Sequence, residues 1–343
     1  MSPSGSLIVV NYRSASLAID AIRSARAATG GALQVIVVDN SVNPAEAEAL
    51  RSHADVLLTP DTNLGYGAAI NRARAQCDGD YLVAANADVR FGRQSIDRLL
   101  ESGADVAGPA LFWDDAFTWC LPPSDLHTAA DALDTAIASR WPRWQRSRDR
   151  QRTRKRLAFW SLTRTTPMPV VSGAIMAIRR SAFDRLGGFD ERFHLYFEEI
   201  DFQRRLRTGI VYVPEVRCRH IYNQSAAVSA SAAAEYARSE MEYLTKWSGA
   251  RVARLIKRVE KPEKPVTAEP LHGDIPIDRP NVVIEASPLP SFETAAGHFP
   301  EASTVAIPPE VWTAYRSEVL YLRLVDRHSA TVIRTWVKAR IRA

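Results

Sequence analysis

The chain has 343 residues, 46% of them hydrophobic, with a net charge of +5 and a sequence pI near 9.2. That length predicts one large or two unequal domains with an ample core, and the modest positive charge admits an anionic partner such as a nucleotide or a phospholipid surface. The three scattered cysteines, Cys77, Cys120 and Cys218, exclude a disulfide framework and a zinc-type spacing and suit a reducing cytoplasm.

Met1 leads through Ser, Pro and Gly into an apolar strand at 7–10, with no basic region and no apolar leader, so no signal peptide is expected. No run approaches the roughly 18 apolar residues that span a bilayer. Leu17, Ala18, Ala21, Ile22 and Ala25 repeat at helical spacing up to Gly30-Gly31. A second buried strand, 35–38, ends in Asp39-Asn40. Asn43-Pro44-Ala45-Glu46 reads as a capping box opening a helix. Residues 56–58 form a short third strand, and a helix from about Gly67 to Gln76 follows. The apolar stretch from Asp80 ends in Asn86-Ala87-Asp88-Val89. Another helix carries Ile96, Leu99 and Leu100, and a strand covers 105–107. Alternating strands and helices predict a parallel, doubly wound α/β sheet.

The regularity breaks after about Asp114. Between Arg140 and Arg156 stand eight arginines and Lys155 against one acid, Asp149, bordered by Trp141, Trp144, Phe159 and Trp160. Such a segment either lies on an anionic membrane surface or forms a solvated helix face. Nucleic acid is not expected, because no nucleic-acid module accompanies the charge. Order returns in a strand over 169–178, where Gly173 would let a ligand approach the backbone. Glu198-Glu199-Ile200-Asp201 opens a helix, a strand follows at 210–213, and His220 closes the next basic stretch. An alanine-rich helix spans about 229–259. Lys261-Pro262-Glu263-Lys264-Pro265 reads as a linker. From about Pro280 a strand at 282–284 and a hairpin turning across 326–330 predict a small β-rich unit.

In a parallel sheet the residues closing the strands share one edge, the usual place for a ligand. Asn11, Asp39, Asn63, Gly65, Asn71, Asn86 and Asp88 gather there. Asp39 suits a base imide or ribose hydroxyl, and Asn63 and Asn71 suit ribose or phosphate. Asp88 suits a hard divalent cation; each is also a common turn or cap residue. Glu198 and Glu199, behind Phe193, Tyr196 and Phe197, offer a general base in a partly enclosed wall, or a cap on a positive helix end. His220 is a structural residue or, as neutral imidazole, a metal ligand.

Taken in order, the motifs resemble family 2 glycosyltransferases, most nearly a bacterial rhamnosyltransferase-like branch. They are Val9-Val10-Asn11-Tyr12, Val37-Val38-Asp39-Asn40-Ser41, the Asn63-to-Asn71 stretch, Asn86-Ala87-Asp88, Gly187-Gly188-Phe189-Asp190-Glu191-Arg192-Phe193, Phe197-Glu198-Glu199-Ile200-Asp201 and His220 with Ser225. The match covers about 6–250. The resemblance implies a GT-A fold over 1–260; the residue pattern itself marks 114–168 as a basic insert, 261–279 as linker and 280–343 as a small accessory domain, the tail beyond about 265 being no part of the likeness. The resemblance also implies inverting transfer of a sugar, L-rhamnose or a related deoxysugar first, from a nucleoside diphosphate to a glycan or lipid-diphosphate acceptor of bacterial surface polysaccharide. By position, Asp88 and His220 would hold Mn2+ or Mg2+, and Glu199 would be the base. Asn86 departs from the family's first acid and Glu199 from its usual Asp. The implied setting is cytoplasmic, peripheral on the inner membrane.

Two other functions share parts of this pattern. A sugar nucleotidyltransferase would want a glycine-rich phosphate loop after the first strand, where Asn11-Tyr12-Arg13-Ser14 has no glycine. A non-catalytic glycan-binding protein on the same scaffold would not need Asp88, Glu199 and His220. A dinucleotide-binding dehydrogenase is least in keeping, because Gly65-Tyr66-Gly67 lacks a third glycine and follows the wrong strand.

Overall fold

A computed structural model describes residues 4–221, 230–261 and 267–340. Ser225 and most of the Lys261-to-Pro265 stretch lie outside the described residues. The first half alternates as its periodicity predicts: β1 (Gly5–Asn11), α1 (Ala15–Ala27), β2 (Leu33–Asp39), α2 (Pro44–Arg51), β3 (Val56–Leu58), α3 (Tyr66–Arg74) and β4 (Tyr81–Asn86). The strands lie in the order β3-β2-β1-β4, all parallel. Leu7, Val9, Val35, Val37, Val83 and Ala85 pack on one face with α1. Ile8, Ile36, Val38, Leu82 and Ala84 pack on the other with α3. With both faces covered, the strands read as unbroken apolar runs.

The box expected at Asn43 forms only in part. Asn43 caps α2 by accepting from the Ala45 amide at 3.0 Å. Glu46 turns away instead and accepts from the Ala15 amide at 2.9 Å and from Asn11 at 3.0 Å, so it caps α1. α1 lies beside α2 on the same face of the sheet, and its positive N-terminal end attracts the carboxylate.

Next come β5 (Val89–Phe91), α4 (Ser95–Glu101), β6 (Val106–Phe112), β7 (Trp119–Cys120), α5 (Ala129–Ala138), α6 (Pro142–Trp160), β8 (Thr166–Pro167), β9 (Ile175–Arg179), α7 (Arg180–Arg185), α8 (Glu198–Leu206) and β10 (Ile210–His220). β9 runs antiparallel between β4 and β6, and β10 lies parallel to β6. The strand expected from 169 starts only at Ile175. The backbone of Val171 is held instead by the Gln203 side chain, which donates to its carbonyl at 2.9 Å and accepts from its amide at 2.8 Å.

The single helix expected over 229–259 is two, α9 (Ala230–Ser248) and α10 (Ala250–Val259), broken at Gly249 with φ +85°. Then follow β11 (Glu269–Pro270), β12 (Ile275–Pro276), β13 (Val282–Ser287), β14 (Ala296–His298), β15 (Thr304–Val305), α11 (Pro309–Ala314), β16 (Val319–Asp326) and β17 (Val332–Ala339). β16 and β17 are the expected hairpin.

This β-rich end is joined to the rest. β14 pairs with β7, so the sheet continues into it, with fifteen strands among the described residues. Trp113, Trp119 and Leu121 share one core with Ile284, Leu322 and Trp336. Buried Glu285 of β13 accepts from Arg156 of α6 at 2.8 Å and from Arg323 of β16 at 2.5 Å. Among the described residues, no helix is long and apolar enough to cross a membrane.

Candidate active site

The register brings Asn11 opposite Asp39 and Val10 opposite Asn86, so the polar strand ends do share one edge. Their parts differ. Asn11 is fully buried, and its amide donates to Asp39 at 2.9 Å, Ser41 at 3.2 Å and Glu46 at 3.0 Å. Its carbonyl oxygen accepts from the Ser14 amide at 3.2 Å and the Ser14 hydroxyl at 3.0 Å. With every hydrogen-bonding position filled from within, Asn11 fixes Asp39. One Asp39 oxygen accepts from Asn11 and, at 3.1 Å, from the Ser41 amide; the other makes no hydrogen bond among the described residues.

Asn71 is likewise held internally. It donates to the Phe189 carbonyl at 2.9 Å and to Glu191 at 3.0 Å, and accepts from the Phe189 amide at 2.9 Å. It ties α3 to the turn that contains Gly187 and Gly188. Asn63 accepts from the Gly65 amide at 2.9 Å, a local turn. Asn40 donates to the Gly65 carbonyl at 3.0 Å and anchors that loop. Gly65 has φ +83°, and a Cβ there would lie 2.1 Å from the His194 carbonyl oxygen, so no side chain fits.

Asp88 and His220 meet. β5 pairs antiparallel with the end of β10, setting His220 opposite Val89, and the Ile221 amide donates to the Asp88 carbonyl at 2.9 Å. The His220 Nε2 lies 3.4 Å from Asp88 Oδ1. Burial alone would raise the Asp88 carboxyl; the charge and hydrogen bond of His220, with a smaller contribution from Arg316, outweigh burial and hold it below its usual value. Among the described residues no group of three His, Cys, Asp or Glu side chains is arranged to hold a metal. Carboxylate and imidazole together suit a divalent cation whose other positions go to phosphate oxygens and water. Asn86 is half-buried nearby, its backbone N–H donating to the Ala174 carbonyl at 3.0 Å.

Glu198 and Glu199 open α8 behind two left-handed residues, Tyr196 at φ +69° and Phe197 at φ +71°. Each such conformation costs about 1–3 kcal/mol outside glycine. α9 holds it: Ser239 donates to the Leu195 carbonyl at 2.7 Å, and Phe197 packs on Tyr236 and Tyr243 with ring centroids 5.2 and 5.1 Å away. The Glu199 side chain lies across Gly173, where a Cβ would stand 2.7 Å from its Cγ. What approaches the Gly173 backbone is thus Glu199, not the ligand expected there. Asp201 points inward, to Arg205 at 2.9 Å, Lys246 at 2.6 Å and Trp247 at 2.9 Å.

Tyr66 joins these groups. Its hydroxyl donates to the Gly173 carbonyl at 3.3 Å. Burial, then the charges of Glu198, Glu199 and Asp88, push its phenol well above the usual value. All three carboxylates therefore lie within electrostatic reach of one half-buried ring. Burial raises both glutamates, Glu198 the further because Glu199 adds its charge. The Oε2 atoms of Glu198 and Glu199 are buried with no hydrogen-bond partner. An unbonded buried carboxylate oxygen is a place for a donor to arrive, such as a hydroxyl. Nothing in the local sequence around Arg316 marks it as part of this site, and the capping pattern at Glu46 and the motif holding Tyr66 do not show that Glu46 would reach Asn11 or that Tyr66 would lie beside the glutamates.

The family model described as Glycosyl transferase family 2 matches residues 6–187, a little over half of the chain. The N-acetylglucosaminyl-diphospho-decaprenol L-rhamnosyltransferase of Mycobacterium tuberculosis, in strains CDC 1551 and H37Rv, is 30% identical over 216 residues, covering 56% of this chain and 68% of the relative. Among solved structures, the mannosyltransferase PcManGT from Pyrobaculum calidifontis in complex with GDP-Man and Mn2+ has a TM-score of 0.47 at 14% identity, over 75% of this chain and 70% of that one. S. aureus TarS 1-349 in complex with UDP has a TM-score of 0.42 at 14% identity, over the same shares. The family match runs through both acid-bearing strand ends, Asp39 and Asp88, and the rhamnosyltransferase likeness extends along two thirds of that relative: the chain belongs to glycosyl transferase family 2 and is a glycosyltransferase.

Proposed function

We propose that this enzyme moves a deoxysugar, L-rhamnose first, from a nucleoside diphosphate donor such as dTDP-rhamnose to a lipid-diphosphate-linked glycan of bacterial surface polysaccharide, with inversion. The sugar and the acceptor class are carried over from the M. tuberculosis relative, whose name gives both. The observation that supports the chemistry most is the gathering of two groups around Tyr66. One is Asp88 with His220, 3.4 Å apart; the other is Glu198 and Glu199 with their unbonded oxygens.

Asp39 receives the base or ribose, its free oxygen kept in place by Asn11. Asp88 and His220 would hold Mn2+ or Mg2+, which would supply positive charge against the diphosphate. Glu199 takes the proton from the acceptor hydroxyl. The oxygen of that hydroxyl bonds to the anomeric carbon from the face opposite the diphosphate. The bond from that carbon to the phosphate oxygen breaks, and its electron pair leaves with the nucleoside diphosphate. A carboxylate raised by burial is better matched to this proton than an ordinary one. A lipid-borne acceptor sets the reaction at a membrane surface.

The test is nucleoside diphosphate release with Mn2+ and polyprenyl-diphosphate-N-acetylglucosamine, over a panel of dTDP-, UDP- and GDP-sugars. Release that needs the acceptor and favours dTDP-rhamnose is expected. Glu199→Gln should lower kcat by about 10²–10⁴-fold. Full activity in that variant, or no release from any donor, would end this reading.

A further inference from the structure

The arginine-rich helix α6 has two faces that do different things. Arg148, Arg152 and Arg156, spaced by four, point inward. Arg148 pairs with Asp134 at 2.6 Å, Arg152 with Glu293, and Arg156 with Glu285 at 2.8 Å. The helix's one acid, Asp149, is half-buried; burial raises its carboxyl against the opposing charges of Arg323, Arg152, Arg148 and Arg156, which lie on this inner side. Arg143, Arg146, Arg150 and Arg154 follow at steps of three, four and four, which puts them on one outer stripe. All four are exposed, and none makes an ion pair or side-chain hydrogen bond among the described residues. The inner arginines hold the fold together; the outer ones have no such task.

α10 repeats the pattern beside it. Ala253 and Ile256 are buried against Ala132 and Ala136 of α5 and Leu244 of α9. Arg251, Arg254, Leu255 and Arg258, at i, i+3, i+4 and i+7, share the opposite, exposed face. Two contacts tie the C-terminal end of α10 to the turn between α5 and α6. The Arg140 guanidinium donates to the carbonyls of Val259 at 2.6 Å and Arg258 at 3.3 Å, and the Lys261 amide donates to Ser139 at 3.0 Å. At the start of α6, Trp141 stands 57% exposed, and on α10 Leu255 is 56% exposed. Trp144 is half exposed on α6 while its indole N–H is held by Asp134 at 2.7 Å.

Seven unneutralised arginines with a tryptophan and a leucine standing out among them match one kind of surface. Anionic headgroups attract the guanidinium groups, and Trp and Leu enter the boundary between headgroups and acyl chains. Duplex or single-stranded nucleic acid would meet the charge but leave the leucine without a place, and would want aromatic platforms stacked along a groove. We infer that the outer faces of α6 and α10 form one surface that docks on an anionic phospholipid bilayer. The inference deepens the proposed function and rests on it only for the expectation of a lipid-borne acceptor. The packing joins the two: α10 lies on α9, whose Tyr236, Ser239 and Tyr243 hold the turn before Glu198.

Co-sedimentation with vesicles tests it, without donor or acceptor, so failure here leaves the transfer reading standing and the reverse is equally true. The vesicles are phosphatidylcholine alone, or with about one third phosphatidylglycerol. The full chain should bind the anionic vesicles and not the neutral ones, and added salt should weaken binding. Joint substitution of Arg143, Arg146, Arg150 and Arg154 by Gln should weaken binding by about tenfold or more. Trp141→Ser with Leu255→Ser should weaken it several-fold at unchanged charge. A control that substitutes exposed Arg23, Arg51, Arg93 and Arg98 by Gln removes the same charge from other elements and should bind as wild type. Unchanged melting temperatures exclude misfolding. The inference is overturned by an equal loss in the control, by equal binding to neutral vesicles, by no binding at all, or by tighter binding to single-stranded RNA than to the vesicles.

Discussion

Glu198 and Glu199 are two carboxyls that burial raises at the same helix start. A carboxyl whose folded value is raised stabilises the fold below its ordinary value of 4.5 and loses that contribution as pH rises through the raised one. At neutral pH the pair therefore opposes folding. Glu198→Gln keeps the shape and removes one of the two charges. It should unfold at higher urea concentration than wild type at pH 7, with the gap closing as the pH falls to about 4.5. Identical urea midpoints for the two proteins from acid to neutral pH would show that the carboxyls do not oppose folding. At this scale the sequence revealed which residues stand at strand ends, since periodicity locates the ends. It did not reveal which of them face inward. Asn11 and Asn71 look like ligands in the string, but their amides are filled by Asp39, Glu46, Phe189 and Glu191. Tyr66 and Arg316 gain meaning only when distant segments meet around Asp88 and the glutamates.

Helix α6 shows what an element adds. Read as a string, the run from Arg140 is one block of charge. Wound into a helix, it separates into an inner row bound to carboxylates and an outer row that is not. The inner row carries most of the energy, because Glu285 is fully buried between Arg156 and Arg323. Removing one partner from such a cluster leaves buried charge without compensation. Glu285→Gln should destabilise the protein by about 3–5 kcal/mol, seen in urea unfolding followed by tryptophan fluorescence. Wild-type stability in that variant would mean the cluster contributes nothing net. Partners such as Glu285 and Glu293 lie more than a hundred residues away in the chain, so no local pattern shows them. The same holds for β9, shortened because the Gln203 side chain takes the backbone of Val171, and for Glu46, drawn from its own helix to cap α1.

For the molecule as a whole, the alternation of strands and helices predicts the parallel block β3-β2-β1-β4, and that block forms. Its legibility is physical: a strand covered on both faces is apolar throughout, and each helix has one apolar stripe. The junction with the C-terminal strands was not legible. It depends on two-residue β7 pairing with three-residue β14, and on Trp113 and Trp119 packing into the far core. Through that junction the C-terminal segment carries Arg316 into the surroundings of Asp88. The account as a whole turns on Asp88 and His220 holding one cation together. The most direct measurement is pulsed electron paramagnetic resonance of Mn2+ bound to the enzyme with dTDP. The account predicts nitrogen coupling from a single directly bound imidazole, lost in His220→Gln and absent with the metal itself in Asp88→Ala. Mn2+ bound with no imidazole nitrogen, or with a nitrogen signal that survives His220→Gln, would contradict it.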